Sequence, residues 1–173
     1  MPDTCYRDAG PADAAAIARL HATRWQEAYA TLAPPAAREA LDEAHRRAGW
    51  DRTLAEGKGR TIVAEEDGRL AGFVHLGPAS QPELGEAGEI KHLYVAAEAS
   101  GRGTGTALLR QALATLAEDG HRTATLAVVE GNDGALRLYR RLGGTEVGGF
   151  VDAGPLWRSR NRIVRFDLGA VPA

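Results

Sequence analysis

The sequence has very little cysteine, no long apolar run and no excess of basic charge. Cys5 is its single cysteine, so no intrachain disulfide can form, and its place in a predicted strand indicates a small buried side chain rather than a nucleophile. No stretch approaches the ~18 apolar residues that a membrane span needs. A formal net charge of −2 leaves no basic excess to neutralise phosphates. These absences argue against nucleic-acid and membrane partners. The N-terminus also lacks the pattern of a signal peptide, so we expect a cytoplasmic protein.

What is present is an ordinary globular composition. The chain has 173 residues, of which 44% are hydrophobic and 25% are charged. A chain of this length buries a substantial core, and no linker, repeat or low-complexity tract interrupts it. We therefore predict one domain that spans residues 1–173.

A glycine-rich loop between a predicted strand and a predicted helix is the most informative feature. An apolar, β-prone run begins at Glu89, glycines follow at 101, 103 and 105, and amphipathic helix spacing continues to Leu116. Free backbone N–H groups converge at a helix N-terminus, and the helix dipole favours negative charge there. Glycine lets the main chain come close to an anion. The segment therefore predicts a site for a phosphate-bearing ligand.

Two common nucleotide motifs do not fit this loop. A P-loop requires a lysine next to its last glycine, and no lysine lies near the loop. A dinucleotide fingerprint requires a third glycine five residues after the first. That position is Thr106 when counted from Gly101 and Leu108 when counted from Gly103. The ligand is therefore expected to be of another kind.

The order of predicted elements indicates a mixed α/β fold of three layers, in which a hairpin pair precedes a strand–helix–strand–helix core. Asp67-Gly68 is a strong signal for the hairpin turn. The predicted helices span about 11–29, 36–54, 103–118 and 132–142. The predicted strands span 4–8, 61–65, 70–76, 89–96, 123–129, 145–151 and 162–168.

A second segment indicates which kind of phosphate-bearing ligand the loop binds. Asn132 to Gly144 follows the strand 123–129 and has helical spacing. The two segments together resemble the GCN5-related N-acetyltransferase (GNAT) family. Its coenzyme A loop maps onto Ser100-Gly101-Arg102-Gly103-Thr104-Gly105, and its second motif maps onto Asn132, Ala135, Tyr139 and Gly143. The chain departs from the family pattern at Ser100, where Gln or Arg is usual, and at Gly144, where an aromatic residue is usual.

The resemblance implies a central, mostly antiparallel sheet with a splayed central strand pair and helices on both faces. It also implies acetyl-CoA as co-substrate and no metal. The splayed strand would pair its backbone with the pantetheine arm, and the loop would hold the pyrophosphate. The cofactor-binding residues implied in this way are Leu93, Tyr94, Val95, Ser100, Gly101, Arg102, Gly103, Thr104, Gly105, Thr106, Asn132 and Ala135.

The resemblance also implies catalytic roles. Glu89 is the candidate general base, because the family often places a glutamate at the start of this strand. Tyr139 is the candidate general acid for the departing thiolate. His92 is the rival base, with a side-chain pKa naturally near neutral pH, and solvent is a third alternative. Since a regular strand alternates its faces, we expect Glu89, Lys91 and Leu93 on one face, and His92 on the other.

The sequence indicates less about the molecule that accepts the acetyl group. Trp25 and Tyr29 lie where family members build the acceptor pocket, and the alternative is that these rings only anchor the core. The expected activity is direct acetyl transfer to a primary amine of a small molecule or peptide, since no cysteine suits a covalent intermediate. The alternative is a catalytically idle acyl-CoA-binding sensor or interaction module. Family members often dimerise, which leaves a homodimer open.

Overall fold

The computed structural model describes residues 3–169 as one seven-stranded sheet with helices on both faces, which confirms the predicted fold class. The strand order is β1-β2-β3-β4-β5-β7-β6. The strands are β1 (Thr4–Asp8), β2 (Arg60–Glu66), β3 (Arg69–Pro78), β4 (Gly88–Val95), β5 (Thr123–Val129), β6 (Thr145–Val151) and β7 (Arg160–Asp167). The helices are α1 (Ala14–Ala28), α2 (Pro35–Ala40), α3 (Glu43–Glu56), α4 (Thr104–Glu118) and α5 (Asp133–Arg141).

The hairpin β2–β3 lies between the edge strand β1 and the central strand β4. Asp67 and Gly68 form its turn with φ of 50° and 72°, as a two-residue hairpin loop requires. β3 continues antiparallel to β4 along almost the whole length of β4. This long ladder fixes β4 as a rigid element on which side chains can be placed.

The centre of the sheet is splayed. β4 and β5 run parallel, yet they pair only at Gly88–Ala124 and Glu89–Thr125. Beyond Glu89 the two strands separate, so the β5-facing backbone edge of β4 from residue 90 to 95 has no strand partner among the described residues. Backbone N–H and C=O groups on such an edge are free to pair with a ligand.

Helices α1 and α3 cover one face of the sheet. Ile17 and Trp50 pack there against Val63 and Phe73, and all four side chains are buried. Below we call this side the α1–α3 face. These contacts fix α1 and α3 against β2 and β3. They therefore also fix the positions of the side chains that the two helices direct toward β4.

Helices α4 and α5 cover the opposite face. Leu108, Leu109 and Leu116 of α4 are fully buried in the largest core cluster, and Leu136 of α5 joins it. Gly144 explains one departure from the family motif: a Cβ there would lie 2.6 Å from Val164 Cγ1 and 3.0 Å from Phe166 Cζ. The core volume that an aromatic residue would take is already occupied.

Two predictions about the scaffold outside β4 are wrong. The expected helix over 36–54 is two helices, because Asp42 takes extended backbone angles and its side chain accepts the His45 N–H at 2.8 Å, which starts α3. Cys5 is exposed rather than buried, since it lies on the edge strand β1. Within residues 3–169, no helix has both the length and the apolar character needed to cross a membrane.

Candidate active site

The gap between β4 and β5 forms a cavity of about 120 Å³, which we call the cleft. It collects residues from four elements that are far apart in sequence. Leu93 and Tyr94 come from β4, Leu126 comes from β5, and Tyr29 follows α1. Asn132 caps the N-terminus of α5, and Tyr139 lies within that helix. Ala135 lines it as well, so the cavity brings together the predicted cofactor residues of β4 and α5, whereas the predicted loop residues 100–106 lie outside its lining.

The glycine loop lies at the N-terminus of α4. Gly101 and Gly103 adopt φ of 76° and 90°, which non-glycine residues rarely adopt, and no side chain caps the helix. The N–H groups of the first helical turn, which includes Thr104, Gly105 and Thr106, therefore lack acceptors within the helix. A Cβ built on Gly103 meets no atom within 4 Å, so the loop faces open space. This geometry fits a pyrophosphate.

Three residues of the predicted loop have other contacts. The Ser100 hydroxyl donates to the Ala96 carbonyl at 3.2 Å, and the Arg102 guanidinium pairs with Glu66. A Cβ on Gly105 would lie 3.3 Å from Val95 Cγ2, so the missing side chain lets α4 approach the end of β4. The loop therefore presents its backbone to a ligand more than its side chains.

A β-bulge changes which side chains of β4 share a face. His75 pairs with His92 and the next residue of β3, Leu76, pairs with Ile90, so Lys91 is an extra residue in β4. Ile90 and Leu93 both pack on the α4 side, whereas the His92 ring lies 4.7 Å from His21 of α1. The expected regular alternation is wrong.

Glu89 consequently faces the same side as His92. Its neighbour Gly88 faces α4, because a Cβ there would lie 2.6 Å from Leu116 Cδ2, so the Glu89 side chain points to the α1–α3 face. The carboxylate is buried and accepts the Ser80 N–H at 2.7 Å. Glu89 and His92, the two candidate bases, therefore lie on the same face of β4, one on each side of the bulge.

His92 belongs to a cluster of histidines around Trp50. Trp50 Nε1 donates to His21 Nδ1 at 3.1 Å, and the His75 and His92 rings stack at 6.1 Å. Burial lowers the pKa of His92 to about 3, with smaller contributions from His75, Arg46 and Lys91. Burial likewise lowers the pKa of His75 to about 4 and that of His21 further. These imidazoles are neutral at physiological pH.

Tyr139 lines the cleft from α5 and remains protonated. Burial raises the pKa of its hydroxyl, and the nearby Tyr29 raises it further. A protonated phenol donates a hydrogen bond but gives up its proton reluctantly. The Tyr139 hydroxyl is therefore suited to stabilise a developing anion in the cleft.

Asn132 connects the cofactor side of the cleft with the aromatic residues beyond it. Its side-chain oxygen accepts the Ala135 N–H at 3.5 Å, which makes it the N-cap of α5, and its amide donates to the Tyr29 hydroxyl at 3.3 Å. Trp25 packs on Tyr29 with ring centroids 5.3 Å apart, and Trp157 packs on both. Trp25 and Tyr29 are thus buried in one core cluster, against which Trp157 packs, and of the three rings Tyr29 lines the cleft.

Several residues near the site carry no signal in the sequence. Trp157 lies in an irregular segment between β6 and β7, and Ser80 lies in a polar loop. Arg46 is one of many charged residues on α3, a helix whose charges are mostly exposed. Among residues 3–169, no cluster of three or more His, Cys, Asp or Glu side chains could hold a metal ion.

A splayed parallel strand pair beside an uncapped, glycine-bounded helix N-terminus has the geometry to hold an elongated phosphate-bearing ligand between its strands. A family model described as the acetyltransferase (GNAT) family matches residues 17–144. The chain belongs to this family. The predictions of acetyl-CoA as co-substrate and of an N-acetyltransferase as the enzyme class are confirmed at the level of the family.

Individual relatives of this chain are also named as acetyltransferases. A mycothiol acetyltransferase of Acidimicrobium ferrooxidans is 44% identical over 89 residues, which are 47% of this chain and 26% of that protein. The chain thus spans about a quarter of that relative's length. An L-methionine sulfoximine/L-methionine sulfone acetyltransferase of Pseudomonas aeruginosa is 27% identical over 138 residues, covering 79% of this chain and 77% of that protein.

The fold has close structural neighbours. The protein yncA of Salmonella typhimurium, solved with its cofactor acetyl-CoA, superposes with a TM-score of 0.72 at 22% identity. The match covers 99% of this chain and 97% of that chain. At this identity the likeness establishes the shared fold.

Proposed function

We propose that this protein transfers the acetyl group of acetyl-CoA directly to a primary amine of a small molecule. The observation that carries the proposal is the β4–β5 gap, with the glycine-bounded N-terminus of α4 at one end and Tyr139 on its wall. Of the relatives described above, two bear names of small-molecule acetyltransferases, which supports a small-molecule acceptor over a peptide.

The chain's own groups would hold acetyl-CoA in an extended pose. The first-turn N–H groups of α4, with the backbone at Gly101 and Gly103, bind the pyrophosphate. The free edge of β4 at Leu93 and Val95 pairs with the pantetheine amides, as a third strand would. Asn132 and Ala135 then close the opposite wall of the gap. When bound, acetyl-CoA supplies an activated thioester.

The transfer itself forms a C–N bond and breaks a C–S bond. The neutral amine attacks the thioester carbonyl, and a backbone N–H on the free edge of β4 stabilises the resulting oxyanion. Glu89 takes the amine's proton through water, and the Tyr139 hydroxyl donates to the leaving thiolate. The two roles require opposite properties, namely an ionised carboxylate and a protonated phenol.

His92 is a poor base in this structure. A histidine with a pKa of about 3 retains little affinity for a proton, whereas an effective base has a pKa near the working pH. His92 instead helps to form the wall along which the amine approaches. Direct transfer is supported by Cys5, which lies on β1, three strands away from β4.

The experiment is a calorimetric titration with coenzyme A. Gly103→Val places a branched Cβ where a phosphate must meet the backbone, and it strains a residue at φ 90°. Gly120→Val is the matched control, because Gly120 also has φ 90° and open space, at the other end of α4. We expect Gly103→Val to abolish binding and Gly120→Val to keep it. Equal affinity in both folded variants would rule out the proposed pyrophosphate loop.

A further inference from the structure

A second cavity, of about 330 Å³, opens on the α1–α3 face. Its wall includes His21, Arg46 and Trp50 from the two helices, and we call it the acceptor cavity. Lys91 and His92 line both this cavity and the β4–β5 gap. A molecule in the acceptor cavity therefore reaches the same stretch of β4 that the gap exposes.

The acceptor cavity is cationic, although the whole chain has a formal net charge of −2. Arg46, Lys58 and Lys91 line it, and none of its described lining residues is acidic. Lys58 pairs with Glu56 at 2.7 Å, so the charge of the cavity comes chiefly from Arg46 and Lys91. The buried histidines in its wall, His21, His75 and His92, add no charge, because burial keeps them neutral. Such a cavity attracts an anionic group and repels a polyamine.

Arg46 is the one side chain in this wall whose hydrogen bonding is visibly incomplete. Its Nε is buried and has no hydrogen-bond partner among the described residues. Its guanidinium carbon lies 5.4 Å from the centroid of the Trp25 ring, which places it in a cation–π contact. Buried polar groups almost always have partners, and an unpaired one requires an explanation.

The neighbouring arginine shows the contrast. Arg47 pairs with Asp51 through Nε at 2.9 Å on the exposed side of α3. Arg46 instead turns toward the sheet, where burial lowers its pKa. A guanidinium left unpaired and partly desolvated costs free energy in the empty protein, and a carboxylate would remove that cost.

We propose that Arg46 binds a carboxylate of the acceptor, so that the acceptor is an amino acid or a similar small molecule carrying both a primary amine and a carboxylate. The planar fork of arginine matches a carboxylate with two parallel hydrogen bonds. Binding at Arg46 leaves the amine to approach β4 at His92, on the face that Glu89 shares. The inference rests on the proposed function, since it names the class of acceptor for that site.

The test measures binding, so it does not require turnover. Calorimetry is performed on the CoA-saturated protein with L-methionine, L-phenylalanine and L-methionine sulfone, each as the free acid and as the carboxamide. We expect at least one acid to bind, and to bind about tenfold or more tightly than its amide. Arg46→Gln should erase that preference, whereas the matched variant Arg47→Gln should keep it.

The same samples are assayed for N-acetylated product with acetyl-CoA, which separates the two hypotheses. If acids bind through Arg46 without being acetylated, the carboxylate site stands and acetyl transfer fails. If amines are acetylated while acid and amide bind equally, or neither binds, the carboxylate site is overturned and acetyl transfer stands. If Arg46→Gln does not fold, the comparison of acid with amide on the wild-type protein decides the question.

Discussion

Replacing Tyr139 with phenylalanine tests the proposed acid without removing its ring. The ring lines the cleft and packs against the main core cluster, and both contacts remain in Tyr139→Phe. A single neutral hydrogen bond contributes about 1 kcal/mol to stability, so the melting temperature should change little. Turnover should change far more, because the hydroxyl is needed only when charge develops on sulfur.

The size of the effect follows from the environment of the hydroxyl. Burial raises the pKa of Tyr139, which makes it a weaker acid than a thiol with a pKa of about 8.5. Full proton transfer to the thiolate is therefore uphill, and the hydroxyl acts chiefly by hydrogen bonding. We expect a loss of about 10²-fold, near 2.7 kcal/mol of barrier, at the low end of general acid catalysis.

The assay is turnover at saturating acetyl-CoA, followed as free thiol, beside a melting curve. Tyr6→Phe serves as the control, since Tyr6 is also a half-buried tyrosine with a raised pKa but lies on β1, away from the cleft. Coenzyme affinity should be nearly unchanged in both variants. A folded Tyr139→Phe protein that turns over at the wild-type rate would leave Tyr139 as a packing residue and make solvent the proton donor.

Further predictions concern the base and the histidine cluster. Glu89→Gln should lose rate most at neutral pH and recover partly at high pH, where the amine deprotonates unaided; a pH–rate profile of wild-type shape would remove Glu89 from the mechanism. His92→Gln should keep the profile shape between about pH 5 and 9, because a pKa of about 3 leaves His92 neutral throughout; a lost limb there would make it the base instead. The lowered pKa values of His75 and His92 mean that the unfolded chain binds protons below about pH 6.5 while the folded chain does not. The melting temperature should therefore fall as the pH drops from about 6.5 to 4. The fall should be less steep in His75→Gln than in the control His45→Gln, because His45 is exposed. Equal slopes in the two variants would contradict the buried, neutral cluster.

Local sequence signals predicted most of the scaffold. The Asp67-Gly68 turn, the glycine loop before α4 and the Asn132 cap of α5 are each determined by a few adjacent residues, and the structure has all three. Two motifs in the family's order also placed Leu93, Asn132 and Tyr139 around one cleft. These features were predictable because the physics that fixes them is local.

The remaining features depend on contacts between distant residues. The bulge at Lys91 arises from the register between β3 and β4, which no pattern within β4 reveals, and it moves Glu89 to the face of His92. Arg46 and Arg47 are adjacent on one helix, yet only tertiary packing determines which of them turns inward. The break before α3 was missed because an alanine-rich run outweighed the capping signal of Asp42.

The most direct test of the account is a balance of products in a single reaction. Purified protein, acetyl-CoA and a panel of primary amines are incubated, and free coenzyme A thiol, N-acetylated amine, acetate and acetylated protein are quantified by mass spectrometry. Direct transfer predicts one N-acetylated amine for each thiol released, with no acetyl group on the protein. Thiol release matched by acetate, or an acetyl group that accumulates on the protein before the amine is modified, would contradict it.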